Sequence, residues 1–393
     1  MSISQAEIDE IRRRSRQLHR QQVAWRRHLH QYPELSGQEH QTTAYLTRIV
    51  KELGLRILPI NLETGLLAEL GKGNAGPIVA VRTDIDALPI TEQTGLPFRS
   101  RNEGCMHACG HDVHMATVLG AASLLAEVKD KLPGRVRFIF QPAEEMPPGG
   151  ARPMIESGAL KDVSMIFGLH VDQDLPTGRI GLRDGPTMAA VIDFDLIIHG
   201  KAGHAARPHL AVDAVTTAAE VIQSVQEVVS RKTDPMTPVA VTFGTIEGGT
   251  ARNVIADRVK LRGTARALSE KAASALPRLV KQVAQGVCRA HGAKVEMILI
   301  ADYPVLKNDK RVNQLLQRNC ESLFGKGRIS DAEPGLGGED FACYLQKVPG
   351  AMFRLGVGNK RIGADKPWHS PQFIVDEAAM TYGTALLAAS VLD

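Results

Sequence analysis

Three observations place this 393-residue chain in the α/β class, with a mixed, mostly parallel sheet, helices on both faces and a smaller α+β domain inserted into it. Helical periods alternate with short, uniformly apolar runs through residues 1–186 and again through 302–393, the pattern of βαβ units. Residues 187–301 read strand, helix, strand, strand, helix, strand, a complete ferredoxin-like unit. Residues able to do chemistry fall just after the apolar runs, where open parallel sheets gather their functional groups.

Each element has its own signal. Residues 5–31 form one long helix that stops before Pro33. In "SGQE", Ser36 and Glu39 read as a capping box that opens a second helix. "GLLAEL" and "PIVAVRTD" are buried strands on either side of "GKGNAG". Those six residues match the dinucleotide fingerprint G-x-G-x-x-G, but the fingerprint needs a helix to follow and Pro77 to Val81 is a strand. A hairpin turn is expected there, with no nucleotide site. "HDVHMATVLGAASLLAEVKDKLPG" is a helix closed by Pro133 and Gly134, and "RVRFIF" and "VSMIFGLHV" are strands. In the insertion, "AVIDFDLIIHG" is a strand and a helix follows from about Ala211 to Arg231. Strands in "TPVAVTFGTIEGG" and "DRVKLRGTARAL", a helix from about Ser269 to Ala290 and the strand "AKVEMILI" complete it. "AMFRLGVG" and "DEAAMTYGTALLAASVL" then resume the larger domain as strand and final helix.

Composition excludes several classes. Apolar residues are 44% and charged residues 23%, as in soluble globular proteins. A net charge of +4, without an aromatic-rich basic stripe, does not describe a nucleic-acid binder. The seven arginines between Arg12 and Arg27 follow Glu7, Asp9 and Glu10 and read as a solvated helix face. No run approaches the ~18 apolar residues of a membrane span, and no secretory signal is recognised. Five scattered cysteines argue against a disulfide framework and for a reducing, cytoplasmic setting, with only a Cys105–Cys109 bridge left open.

The densest chemistry is in "GCMHACGHDVH". Cys109 and His111 are two apart and cannot share a helix face, so they converge only from a loop or helix entry. Gly110 between them permits an unusual backbone turn. Structural zinc needs four closed N/S ligands, and the chain offers no second Cys/His pair. Glu145, His170 and His369 remain, each from a different loop, and a mixed S/N/O set with a carboxylate describes an open, catalytic metal site. Cys105 reads as a bystander. His107 and His114 stay open as ligands but read first as satisfied loop or helix histidines, and Asp84 reads first as a turn former. In an extended segment Glu144 and Glu145 would point oppositely. One would bind metal while the other takes a proton from metal-bound water.

"RRHLHQYPELSGQE", "RTDIDALPI", "GCMHACGHDVHMA", "FQPAEE", "GLHV", "GKAGHAARPH" and "GGEDFACYLQKVPG" occur in that order. Together they resemble the aminoacylase and carboxypeptidase-G superfamily of zinc-peptidase-like metallopeptidases, in its amidohydrolase branch of hippurate, auxin-conjugate and other N-acyl-amino-acid hydrolases. The resemblance runs from about residue 25 to the end of the chain. It implies two divalent ions per subunit (Zn²⁺, Mn²⁺, Co²⁺ or Ni²⁺) on Cys109, His111, Glu145, His170 and His369, with Cys109 bridging. Glu144 matches the family's general base and acid, and Asp86 an aspartate that stands behind a ligand histidine. Asp84 occupies the place where other branches carry that histidine. The insertion resembles a lid and dimerisation domain, so a homodimer is expected. His204 matches the histidine that reaches the oxyanion, typically from the partner subunit. Asn253 and Arg266 match contacts to the substrate carboxylate. The implied reaction is cleavage of N-acyl-amino acids to a carboxylic acid and a free amino acid, by a metal-held hydroxide with Glu144 as base. Dipeptidase or carboxypeptidase action at the same site is the alternative, and non-catalytic metal binding the third reading. Ala256 stands where the family often has Pro, and Trp368 lies beside His369, so the substrate pocket departs from the family pattern.

Overall fold

The chain leaves one folding unit at Gly185 and returns to it at Lys307. The structure, a computed structural model, describes residues 3–71 and 76–393, without the side chains of 301 and 302. Unit one comprises Met1–Gly185, Lys307–Glu333 and Cys343–Asp393, and unit two Pro186–Leu306 and Pro334–Ala342. Residues 334–342, expected in the larger domain, belong to the smaller one because their backbone bonds there. Gly335 N–H donates to the Thr187 carbonyl and Ala189 N–H to that of Gly337, both at 3.0 Å. Residues 302–306 join it as well, since the strand Lys294–Tyr303 runs past the expected boundary.

In unit one, α1 spans Gln5–Gln31, α2 His40–Glu52 and α3 His111–Glu127. The strands are β1 (Arg56–Leu58), β2 (Leu66–Leu70), β3 (Ile78–Asp84), β4 (Arg135–Gln141), β5 (Val163–Pro176) and β6 (Ile180–Leu182), with Ile329–Asp331 and Gly350–Gly358 from the later segment. They form one mixed sheet in the order β1, β2, β4, β3, β5, Gly350–Gly358, β6, Ile329–Asp331. The four central strands, β4 to Gly350–Gly358, are all parallel. Every residue of β3 is buried, so both its faces are covered. That is why "IVAVRTD" reads as a continuous apolar run rather than an alternating one.

The helix α3 is buried from His111 to Leu125, and beyond its polar first turn it is mostly apolar, as suits a helix inside a core. With α1 and the C-terminal helix Ala379–Leu392 it packs on Val81, Phe138, Phe167 and Phe353. Burying each such phenylalanine stabilises the unit by roughly 1.5–3 kcal/mol. Polar groups fix the register of the three helices. Gln22 donates to Thr384 Oγ1 at 2.7 Å, and that hydroxyl donates to the Thr117 carbonyl at 2.8 Å.

Two local expectations fail. The helix expected from Ser36 begins at His40, and no capping box forms. Glu34 caps it instead, accepting from Gln41 N–H (3.1 Å) and Thr42 N–H (2.8 Å), while Ser36 turns away to Asp86. The strands flanking "GKGNAG" do not pair as a hairpin, because β4 lies between β2 and β3. Residues 72–75 of that turn lie outside the described residues.

Unit two is a four-stranded antiparallel sheet in the order Val239–Gly248, Arg258–Ala267, Ala190–His199, Lys294–Tyr303. Taken in chain order this is the ferredoxin-like arrangement. The helices Ala214–Arg231 and Glu270–Ala290 share its core with Phe194, Leu196 and Leu261. Asp213 and Ser269 cap their first turns.

A buried charge network joins α1 to the start of α3. Arg26 Nε donates to Asp112 at 2.7 Å, and His30 lies between Asp112 (2.8 Å) and Glu92 (3.2 Å). Burial and Arg26 oppose a charge on His30, but the two carboxylates prevail and raise its pKa. A raised folded-state pKa stabilises the fold fully below the unfolded value of about 6.5, and that stability is lost as pH rises through the folded value. Burial likewise opposes the charge on Asp112, yet Arg26 and His30 hold its carboxyl well below the usual range. Its contribution is present above about pH 3.9 and is lost on acidification. The urea midpoint of chelated protein is therefore expected to fall between pH 6 and 9, and His30→Gln to flatten that slope. An unchanged slope in the variant would refute the assignment.

Candidate metal centre

Because β4, β3, β5 and Gly350–Gly358 are parallel neighbours, their carboxyl ends share one edge of the sheet. Asp84 ends β3, with Asp86 two residues on. Glu144 and Glu145 follow β4, and His369 lies in the long loop after Gly350–Gly358. His170 is not at a strand end as expected. It lies inside β5, two residues past Gly168, where pairing with β3 stops while pairing with Gly350–Gly358 continues. The segment after β4 is also not extended. Ala143 has φ +52° and the chain bends, so Glu144 and Glu145 both place an oxygen within 4.8 Å of a His111 nitrogen instead of pointing oppositely.

Gly110 fulfils the turn its position demands. Its φ is +85°, it sits at the amino end of α3, and an added Cβ would stand 2.5 Å from Val171 Cγ2. Leu88 and Met106 exchange backbone hydrogen bonds at 3.0 Å, and the Ala108 carbonyl accepts from His369 N–H at 2.9 Å. The Cys109 loop is thus pinned from two sides. His369 itself has φ +63°, a left-handed conformation costly for a side chain with Cβ and held here by that bond.

The histidine tautomers follow from fixed backbone partners. His111 Nδ1–H donates to the Asp86 carbonyl at 2.8 Å, with Asp86 Oδ1 at 3.3 Å behind it. His170 Nδ1–H donates to the Val171 carbonyl at 2.8 Å. In its neutral form each ring therefore presents a bare Nε2. That of His170 lies 3.4 Å from Cys109 Sγ. That of His111 has no hydrogen-bond partner among the described residues and lies 3.8 Å from both Asp84 and Glu145. His369 Nε2 is 3.5 Å from Glu145 Oε1, which also lacks a hydrogen-bond partner among the described residues. All five expected ligands fall into two overlapping donor sets that share Cys109. One is Cys109, His111 and His170, the other Cys109, Glu145 and His369, with donor atoms in each set within 4.8 Å of one another.

A third grouping, Asp84, His111 and His114, meets the same distance criterion. His114 cannot ligate there, since Asp84 (2.7 Å) takes its Nδ1–H and Val171 N–H (2.9 Å) takes its Nε2 lone pair.

Electrostatics favour a cation. Burial, then Glu145 and Glu144, push the Cys109 thiol well above its ordinary value. Burial works against a charge on His111, but Asp84, Asp86 and Glu145 raise it to about 10, so a proton stands in where positive charge is needed. Burial opposes ionisation of Asp84, yet His111, His114 and Arg82 hold its carboxyl well below the usual range. His170 is kept neutral chiefly by burial.

Residues 80–393 match the model of peptidase family M20/M25/M40. The chain belongs to this family. It is 41% identical to the N-acetylcysteine deacetylase of Bacillus subtilis, over 94% of this chain and 96% of that one. It is 38% identical to thermostable carboxypeptidase 1 of Saccharolobus solfataricus, over 92% and 93%. Among solved structures, a dinuclear metal-binding M20 peptidase of Bacillus subtilis superposes with a TM-score of 0.83, at 37% identity, covering 96% of this chain and 98% of that one. The protein is thus an M20-family hydrolase of amide or peptide bonds, with the family's mixed α/β fold.

In this family member the remaining expected site residues lie in unit two. His204 is exposed and pairs with Val254 across two short strands, next to Asn253, whose carbonyl accepts from Ala205 N–H at 3.1 Å. His204 Nδ1 accepts from Ala206 N–H at 3.0 Å, which leaves Nε2–H as its donor. Arg266 lies on Arg258–Ala267, bonded to Thr264 and the Ala265 carbonyl (3.1 Å) and 3.5 Å from Asp193.

Several site-building residues carried no readable signal. Glu39, expected as a cap, accepts from Ala143 N–H (2.8 Å), Gly37 N–H (2.9 Å) and Thr64 Oγ1 (2.8 Å), and so anchors the glutamate bend. Asp84 is no turn former but the buried partner of His114 and Arg82. His107 is buried yet not satisfied, because neither ring nitrogen has a hydrogen-bond partner among the described residues, and burial lowers it to about 4. Cys105 is a free, buried thiol, as are the other four cysteines. The Trp368 ring stands edge-on to His170 at 5.4 Å, forming a wall beside the donors.

Proposed function

We propose that this enzyme cleaves the amide bond of N-acyl-amino acids, releasing a carboxylic acid and a free amino acid, at a centre of two divalent ions. The observation that carries this reading is the pair of donor sets sharing Cys109, with the Glu144 carboxylate beside them. The fit is supported by the buried His111 Nε2 and Glu145 Oε1, which lack hydrogen-bond partners among the described residues. The first ion would be held by Cys109, His111 and His170, the second by Cys109, Glu145 and His369. A thiolate, imidazole and carboxylate set suits Zn²⁺, Mn²⁺, Co²⁺ or Ni²⁺ and does not choose among them. When bound, such ions supply Lewis acidity that polarises a carbonyl and acidifies water.

The chain's own residues do the rest. Glu144, buried beside His111 and Glu145, removes the proton of the attacking water and passes it to the leaving amine. His204 offers its Nε2–H to the developing oxyanion. Asn253 and Arg266 recognise the carboxylate of the amino-acid half. Similarity to the N-acetylcysteine deacetylase supports an N-acyl substrate. Similarity to the carboxypeptidase favours a second reading, removal of a carboxyl-terminal residue by the same groups. Both substrates share a free carboxylate next to the scissile amide.

A homodimer through unit two is part of this reading. Its edge strands expose Ile246 (55%), Leu299 (56%) and Ile300 (54%), apolar surface that a second copy would cover. Leu299→Lys is expected to shift sedimentation toward monomer. Among the described residues no helix is long and apolar enough to cross a membrane.

Glu144→Gln is expected to bind metal normally while kcat falls about 10²–10⁴-fold. Near-normal turnover would remove Glu144 from its role. Elemental analysis should find two ions per subunit in the wild type and a loss at both positions in Cys109→Ser. His369→Ala should lose chiefly one, because His369 belongs to one donor set only. Equal losses in the two variants would contradict a shared cysteine. A panel of N-acetyl and N-benzoyl amino acids against dipeptides, run on metal-loaded enzyme, separates the two substrate readings. Higher kcat/KM on dipeptides would sink the first.

A further inference from the structure

We propose that His114 is a positioning residue that sets the spacing between His111 and His170, and thereby the geometry of the donor set they form with Cys109. The inference rests on the metal reading above, which loading of the wild type tests separately. The β3–β5 ladder ends at Arg82 opposite Gly168. Beyond it a side chain from α3 bridges the two segments. His114 Nε2 accepts from Val171 N–H at 2.9 Å, and its Nδ1–H donates to Asp84 Oδ1 at 2.7 Å. A backbone N–H can only donate, so Nε2 carries no proton and the ring is a neutral Nδ1–H tautomer.

Both anchors are rigid. Asp84 and His114 are fully buried, and Arg82 donates to the other Asp84 oxygen at 2.7 Å. Each anchor also leads to a ligand. The Val171 peptide held by His114 is the one whose carbonyl orients the His170 ring at 2.8 Å. The carboxylate that takes its Nδ1–H lies 3.8 Å from His111 Nε2. The His114 ring lies 4.8 Å from that of His170 and 5.4 Å from that of His111, and those two are 6.4 Å apart and perpendicular. The imidazole is therefore a spacer with a hydrogen bond at each end. A side chain there for packing alone would need neither bond.

The two bonds can be removed separately. His114→Asn keeps a donor at the Nδ1 position but does not reach Val171, whereas His114→Gln places a carboxamide oxygen where Nε2 stood. The experiment compares both with wild type by competition-measured Co²⁺ affinity, the visible spectrum of the Co²⁺-loaded protein and melting of the chelated protein. The expected result is about 10–100-fold weaker metal binding and an altered cobalt spectrum in His114→Asn, with partial rescue in His114→Gln. Chelated His114→Asn should melt somewhat earlier, because the Val171 N–H is left unpaired, with His114→Gln closer to wild type. Wild-type affinity and spectrum in both variants would overturn the proposal. So would early melting of chelated protein whose folded fraction still binds cobalt as wild type does, since that describes a purely structural residue.

Discussion

Asp84, Asp86 and Glu144 are buried together at the carboxyl edge of the sheet, with the Cys109 thiol among them. Charge in such a place is costly unless each group finds a partner. The protein supplies partners for most of it. Arg82 and His114 take Asp84, while Ser36 Oγ and Glu145 N–H take Asp86. What remains includes the thiol, His111 Nε2 and Glu145 Oε1, and the last two lack hydrogen-bond partners among the described residues. An unsatisfied buried polar atom costs about 1–3 kcal/mol. Two such atoms converging with the thiol are best explained by a cation that all three can ligate at once. The strand order, the Gly110 turn and the left-handed His369 all bring donors to that one place.

The parts legible in sequence were those governed by local rules. Cys109-Gly110-His111 could be read because two donors two residues apart need a turn that glycine permits, and φ +85° bears that out. The strand ends could be read because apolar runs stop abruptly at Asp84 and Gln141. The misread parts depended on partners distant in sequence. "SGQE" has the form of a capping box, but Glu39 is claimed by Ala143 and Thr64, and Ser36 by Asp86. Alanine gives no hint of a left-handed bend, so the direction of Glu144 and Glu145 was hidden. The pairing of β2 with β4 instead of β3 is a choice of sheet order that no turn sequence announces.

The candidate residues of each unit follow the same logic. Unit one supplies side chains from the core and its strand ends, where backbone bonds fix ring orientation and tautomer. The unit-two residues are less constrained. His204 and Asn253 are exposed, and His204 is oriented by a single local bond. The oxyanion role proposed for His204 would tolerate that freedom, whereas the metal-ligand role proposed for unit one would not. In unit one the Trp368 ring stands edge-on to His170 at 5.4 Å.

The two donor sets are not equivalent. Cys109, His111 and His170 are all buried, and both histidines are locked by backbone carbonyls. Glu145 and His369 are held less firmly. The His369 side chain is 53% exposed on a strained backbone. Exposure lets water compete for the ligand, and a loop-borne imidazole loses more freedom when it binds than one already fixed in a strand. On the proposed reading the first set would be the tighter and the second the more exchangeable. Cys109 belongs to both donor sets, so on the proposed reading a displacement of its sulfur would alter both. Control of the centre then lies with whatever fixes Cys109, namely the Gly110 turn against Val171 and the Ala108 carbonyl that holds His369 in place.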